Sequence, residues 1–200
     1  MSVLGKTRLI SAIEQTDPKA RLVVTPLLNR TQIGEASIDI RLGNDFVVTR
    51  RGNLASIDPA SSDPRSIRYN SRHYSNFGAK FFLHPNELVL GSTLEYIKLP
   101  QNLAGWVTSR SRWGRVGLVI ATATAIQPGF AGTITLELVN LGEVPLVLYP
   151  GLLVAQIILS DCEGAAAYGG TFAQQVDPGH GNISADAEMK FWTGEGLRQP

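Results

Sequence analysis

The chain predicts an all-β domain, a jelly roll or distorted β-barrel of the kind that carries only short helices. Three observations lead there. Glycine and proline are frequent, 20 and 11 in 200 residues, and fall at regular intervals. The runs between them are short, rich in Val, Ile, Leu and Thr, and bounded by turn residues. A helical period shows only near the start of the chain.

Taken in order, residues 2–14 hold Leu4, Ile10 and Ile13 on a rough amphipathic face, which predicts one short helix. Leu22 to Leu28 is apolar and extended but contains Pro26, so it reads as an edge strand or loop. Ala36 to Gly43 alternates apolar and polar residues and ends at glycine, a strand with a turn, and Phe46 to Thr49 continues it. Residues 50–79 are rich in Asn, Ser, Asp, Pro and Arg without a period, which predicts a long surface loop or arm. Strands follow at Lys80–Leu83, Leu88–Leu94, Leu103–Thr108, Val116–Ala121, Thr133–Asn140, Val144–Leu148 and Leu152–Leu159. Their turns are visible at His84–Glu87, Pro100–Asn102, Gln127–Gly129, Asn140–Glu143 and Tyr149–Gly151. Leu83-His-Pro-Asn-Glu-Leu-Val-Leu echoes Leu148-Tyr-Pro-Gly-Leu-Leu-Val-Ala, as two hairpins facing one another in a pseudo-symmetric fold would. After Ser160 the composition shifts to Gly, Ala, Gln and Asp. The expected organisation is therefore a β domain over 1–160 and a tail over 161–200, with one ordered piece near Met189–Trp192 and the capacity to close over a site.

Composition narrows the function. A net charge of +1 gives no general attraction to nucleic acid or to a membrane surface. No run is long enough to span a bilayer, and no secretory leader is visible at the start. The single cysteine, Cys162, forms no internal disulfide, fits the reducing cytoplasm, and reads as inert.

Three places carry candidate chemistry. In Thr133-Ile-Thr-Leu-Glu-Leu-Val139 the two-residue period puts Ile134, Leu136 and Leu138 on one face and Thr133, Thr135 and Glu137 on the other. A carboxylate among leucines is costly to bury unless paired or used; the alternative is a solvent-facing glutamate on an outer sheet face. Arg110, Arg112 and Arg115, with Ser109 and Ser111, offer guanidinium forks and hydroxyls at a density suited to phosphate oxygens, or else form a solvated basic loop or an oligomer contact. Ala125 to Gly132 is a tight turn into a strand, where Gly129 and Gly132 allow close backbone approach and Phe130 packs under a sugar or base, or into the core.

Several chemistries are excluded by what is missing. His73, His84 and His180 are scattered and no His-x-Glu with Pro-Cys-x-x-Cys occurs, so a zinc deaminase site cannot be assembled. There is no Gly-x-x-x-x-Gly-Lys-Ser/Thr loop, no Gly-x-Ser-x-Gly elbow and no dinucleotide-binding unit.

Together, these residues resemble the dCTP deaminase branch of the dUTPase superfamily over roughly Ala36 to Leu159. Ala36-Ser-Ile-Asp-Ile-Arg-Leu-Gly43 is similar to the family's Ser-x-Asp-x-Arg-Leu segment. Phe82 to Glu95 resembles the hairpin before the phosphate motif, and Arg110-Ser-Arg-Trp-Gly-Arg-Val-Gly-Leu118 resembles that motif. Thr122-Ala123 followed by Pro128-Gly-Phe-Ala-Gly-Thr-Ile-Thr-Leu-Glu137 is similar to the family's nucleoside-binding and catalytic stretch. Pro145, Pro150-Gly151 and Gln156 continue it, and Tyr168-Gly169 is similar to a pair in the tail.

The resemblance implies a homotrimer with active sites shared between subunits. It implies hydrolytic deamination at C4 of cytosine, turning dCTP into dUTP and ammonia. No cofactor would serve catalysis, and Mg2+ would enter only as the counter-ion of the triphosphate. Glu137 would be the general base, with Ser111 and the carbonyl of Ala123 holding the water and Arg115 orienting the carboxylate. Arg110 and Arg112 would meet phosphate, and Phe130 would sit against the deoxyribose. Thr122, Gln127, Gln156, Tyr168 and Lys190 would complete the contacts with the deoxycytidine nucleotide.

The chain departs from the family at named points. The aspartate before Pro-Gly is Gln127, which hydrogen-bonds a sugar but cannot act as a base, and this disfavours pyrophosphate cleavage. Ala125 replaces an arginine, Arg112 replaces a serine, and the stretch between Gly117 and Thr122 is one residue short. The closing lid matches at Lys190-Phe191 but not from Trp192 to Glu195, where Glu195 would repel a γ-phosphate. Two other expectations follow: a non-catalytic nucleotide-binding or regulatory trimer of the same fold, and a deaminase of another deoxycytidine nucleotide.

Overall fold

The computed structural model describes residues 2–49, 70–121, 125–164 and 176–178. Helix α1 covers Lys6–Ile13, within the stretch where the sequence predicts it, and turns the buried Leu9 inward. It is tied to the last strand at both levels. The Leu4 amide donates to Leu159 O at 2.8 Å, and Arg8 grips Asp161 with two bonds of 2.8 and 2.6 Å.

The strands in chain order are β1 Val23–Thr25, β2 Ile38–Thr49, β3 Asn70–Tyr74, β4 Phe81–Leu83, β5 Leu88–Thr93, β6 Tyr96–Lys98 and β7 Leu103–Ser109. After a short helix α2 at Ser111–Gly114 come β8 Leu118–Ile120, β9 Ala125–Ile126, β10 Ala131–Gly132, β11 Thr135–Asn140, β12 Leu146–Leu148 and β13 Leu153–Asp161. The main sheet runs β8-β11-β5-β2-β13-β7-β9, with β3 added to β2. Smaller sheets, β1-β6-β10 and β12-β4, complete a curled, half-closed barrel. All-β architecture is thus observed, as the turn spacing predicts.

Strand β2 makes the curl. Its first half pairs with β13 and its second half with β5 and β3, and the register shifts between Leu42 and Phe46. Such an irregularity bends a strand and lets it serve two directions of sheet. Leu42, Phe46, Leu136, Leu138 and Ile157 fill the interior, and the Phe46 ring stacks on Phe81 at 4.1 Å. The far flanks approach one another, with β7 touching β8.

The strands that lead into the echoing segments pair antiparallel, β4 with β12, Leu83 opposite Leu146 and Phe81 opposite Leu148. Asn140, fully buried, stitches this corner by donating to Leu83 O and Val144 O and accepting from Gly142 N.

Some expectations change. The arm placed over 50–79 ends in structure, because Asn70–Tyr74 pairs with β2 from Thr49 back to Asp45; residues 50–69 lie outside the described residues. The periodic signal was weak there because Ser71 to Tyr74 are polar and mostly exposed, the composition of an edge strand. The last strand extends to Asp161, one residue past the expected domain boundary. Val23–Thr25 is an edge strand, as Pro26 predicts, while β6 and α2 were not anticipated. Among the described residues no helix is long and apolar enough to cross a membrane.

Candidate functional site

Helix α2 positions the first cluster. Arg110 caps it in an extended conformation, and its amide donates to Val154 O at 3.0 Å, so the helix starts from strand β13. Trp113 points inward against the core and its indole N–H donates to Leu153 O at 2.8 Å. Ser111, Arg112 and Arg115 are exposed. Ser111 and Arg115, four residues apart, share one face of the turn, where a single ligand can meet both. The exit is held by Gly117 at φ 95°, whose carbonyl accepts from Leu141 N at 2.8 Å. A Cβ there would stand 2.6 Å from Gly142 N, so the backbone passes closer than any side chain permits.

Strand β8 then runs antiparallel to β11, with Ile120 opposite Leu138, and the Ala121 amide donates to Glu137 O at 2.9 Å. On β11 the alternation is as expected: Leu136 and Leu138 are buried, while Thr135 and Glu137 are half-buried on the opposite face. Glu137 is therefore neither a core carboxylate nor a fully solvated one. On that face Leu90 of β5 lies opposite it, with Thr135 and Val139 two residues to either side.

The turn Gln127–Phe130 links β9 to β10. Phe130 N donates to Gln127 O at 3.1 Å, Leu99 N donates to Phe130 O at 2.8 Å, and Gly129 takes φ 79°. Gln127 is exposed, Pro128 is buried, and Phe130 packs partly against the core. This turn belongs to β9 and β10, whereas Glu137 belongs to β11, near the opposite end of the main sheet's strand order.

Arg110 is set apart from the other two arginines. Its guanidinium meets Asp39 of β2 at 3.2 Å, with both side chains mostly buried. Asp39 lies opposite Gln156 in the sheet, and Gln156 lies opposite Thr108. Ser37 Oγ donates to Gln156 Oε1 at 3.4 Å. The structure thus joins Arg110 and Gln156 through Asp39, a residue that sequence reading quoted within a motif but did not place in the site. The guanidinium has five N–H donors, so one carboxylate contact leaves others for a phosphate. Thr122, Ala123, Tyr168 and Lys190 lie outside the described residues.

A second polar network was also missed. Glu95 is fully buried and accepts from Arg41 N at 2.8 Å, from the Arg41 guanidinium at 3.2 Å and from Gln32 Nε2 at 3.1 Å. Burial pushes its carboxyl above the usual range, against the opposing pull of the Arg41 backbone and guanidinium. Thr93 Oγ1 accepts from Ile134 N at 2.9 Å and donates to Glu95 O at 2.8 Å, so the network fixes the start of the chain into β11. Among the described residues no group of three or more His, Cys, Asp and Glu is placed to hold a metal ion.

Comparison with known proteins gives these positions a family. The dCTP deaminase-like family matches residues 3–162. The chain is 42% identical over 141 residues to "dCTP deaminase, dUMP-forming" of Dictyoglomus thermophilum, covering 70% of this chain and 72% of that protein. The protein of the same description from Methanobrevibacter smithii is 33% identical over 198 residues, covering 95% of this chain and 100% of the relative. The dCTP deaminase of Pectobacterium atrosepticum is 40% identical over 153 residues, covering 74% of this chain and 79% of the relative. Among solved structures, the 2′-deoxycytidine 5′-triphosphate deaminase from Agrobacterium tumefaciens superposes with a TM-score of 0.59 at 20% identity, over 78% of this chain. That likeness is one of fold, and this chain spans about half of that one, 47%. The match begins at residue 3, ahead of the Ala36–Gly43 motif, and ends just past β13, so it takes in the whole curled sheet with α2 and Glu137 inside it. The chain belongs to the dCTP deaminase-like family.

Proposed function

We propose that the protein deaminates dCTP by hydrolysis at C4 of the cytosine ring. The observation that carries this reading is the setting of Glu137: half-buried on β11 opposite Leu90, backbone-bonded to Ala121, with α2 leading into the strand beside it. In the proposed reaction Glu137 takes a proton from water as its oxygen bonds to C4, and passes that proton to ring N3. The second proton of the water then moves through Glu137 to the amine as the C4–N bond breaks. Ammonia leaves and the ring is left as uracil. This is acid–base work by one carboxylate.

Ser111 and the carbonyl of Ala123 hold the water, and Arg115 orients the carboxylate. Arg110 and Arg112 meet phosphate, with Gln127, Phe130, Thr122, Gln156, Tyr168 and Lys190 on the rest of the nucleotide. Magnesium rides on the triphosphate, whose oxygens supply the hard ligands it prefers. Trimerisation completes sites that draw on both flanks of the sheet. A cytoplasmic location follows from the substrate and the lone cysteine.

Two product readings remain distinct. Gln127 offers no base for a second water, which favours dUTP as the product. The relatives from Dictyoglomus thermophilum and Methanobrevibacter smithii are described as dUMP-forming, which favours onward loss of pyrophosphate. Incubating the protein with dCTP and Mg2+ and quantifying ammonia, dUTP, dUMP and pyrophosphate separates them. Ammonia with dUTP supports the first; equimolar pyrophosphate overturns it; no ammonia from dCMP, dCDP or dCTP sinks the deaminase reading. Glu137→Gln is expected to keep the fold and lower turnover by about 10²–10⁴-fold.

A further inference from the structure

Arg72 occupies a position that the site described above leaves unexplained. Strand register defines a single row across the sheet: Glu137 of β11 lies opposite Leu90 of β5, Leu90 opposite Val47 of β2, and Val47 opposite Arg72 of β3. Directly opposed residues project to the same face, so Arg72 and Glu137 share one face of the sheet. Three strand spacings separate them, about 14 Å.

The Arg72 guanidinium meets two carboxylates. Asp45 of β2 is the mostly buried one, and takes Nε–H at 3.0 and 2.9 Å as well as a close contact from Nη2. The other is Asp177, at 2.8 Å from Nη2, on the C-terminal segment well beyond the end of β13. Asp45 fixes the fork, and Asp177 lands on the fork so fixed. Pro178 beside it is buried. From this clasp a cleft of about 690 Å³ extends past Asn44, Tyr74 and Ser92 to Thr133. Its size is that of a small-molecule site, and Thr133 leads directly into the strand of Glu137.

We infer that Arg72 is a positioning residue: through Asp177 it docks residues 176–178 on the sheet face that carries Glu137. In sequence Asp177 falls between Tyr168 and Lys190, the two tail positions that the proposed function assigns to the nucleotide. The kinetic consequence rests on the deaminase reading; the docking does not. Both partners are more than half exposed, 57% and 53%, so the contact is weak, reversible and salt-sensitive. Its loss is worth about a two- to five-fold change in the docked population.

The test uses the full chain carrying Asp177→Asn, Arg72→Gln, both together, and Asp177→Glu. At low ionic strength each single variant is expected to raise KM for dCTP about two- to five-fold while leaving kcat within about two-fold. The double variant should match the singles, and Asp177→Glu should restore the original value. Raising the salt should bring the unmodified protein to the variants' KM. Amide hydrogen exchange at Val176 and Asp177 should quicken in Asp177→Asn. That variant keeps the test informative even where Arg72→Gln loosens β3 through Asp45. An unchanged KM, or unchanged exchange at those two amides, overturns the inference. Where the unmodified protein turns over no deoxycytidine nucleotide, the deaminase reading is what has failed, and exchange alone then decides the docking.

Discussion

Arg110, Arg112 and Arg115 look alike in sequence and differ in the fold. Arg112 and Arg115 stay on the exposed side of α2, while Arg110 is drawn inward to Asp39. No local pattern reveals that pairing, because Asp39 is remote in the chain and arrives only when β2 pairs with β13. Glu95 illustrates the same point with a consequence for stability. In sequence it only ends the hairpin segment Phe82–Glu95, yet it is buried with its carboxyl pushed above the ordinary range. A raised acid means that the folded state binds the proton more tightly than the unfolded chain. Its contribution to stability is therefore fully present below the ordinary glutamate value and is lost as pH rises through the folded one. Each unit of that rise is worth about 1.4 kcal/mol. Glu95→Gln removes the titration, so the stability of the unmodified protein minus that of the variant, measured by urea unfolding from pH 4 to pH 7 or so, should shrink as pH rises. A gap that widens with pH would show that the Arg41 pair outweighs desolvation.

At the scale of elements, α2 is, like β6, a piece that the sequence does not announce. A single turn of four residues has too few positions to display a period, and its helical form depends on Trp113 reaching Leu153 O and on the tie from Arg110 to β13. Strand β11 was legible because Ile134, Leu136 and Leu138 alternate cleanly with Thr133, Thr135 and Glu137. That alternation placed Glu137 on the face it occupies. The link between the two elements is Gly117, at φ 95° against the backbone of Gly142. Gly117→Ala is expected to cost roughly 2–4 kcal/mol, from a left-handed backbone and a contact that must be relieved by moving the main chain. Thermal unfolding reads the stability. Turnover should fall beyond what the lost folded fraction explains, because the strain lies between Arg115 and the strand that meets Glu137.

For the whole molecule, the N-terminal helix is part of the scaffold. Arg8 and Ser2 hold Asp161 well below the usual carboxylate range, with the Arg8 hydrogen bonds the largest cause. Helix α1 thereby closes on the last strand, and the family match accordingly starts at residue 3. The Gln127–Phe130 turn and Glu137 lie toward opposite ends of the sheet order, and the proposed function shares each site between subunits of a trimer. Sedimentation equilibrium should give three times the 21.6 kDa mass of the chain; a stable monomer with full turnover would rule out shared sites.

Local chemistry was enough to determine that the chain is a β domain, where most strands and turns fall, which side of β11 bears Glu137, and which family the ordered motifs resemble. These properties depend on a two-residue period, on turn residues and on spacing, all of which are written locally. The pairing of Arg110 with Asp39, the burial of Glu95, the recruitment of Asn70–Tyr74 to β2 and the landing of Asp177 on Arg72 were decided by tertiary structure alone. Each joins residues far apart in the chain, and such partners become neighbours only once a bent β2 has turned the sheet back on itself.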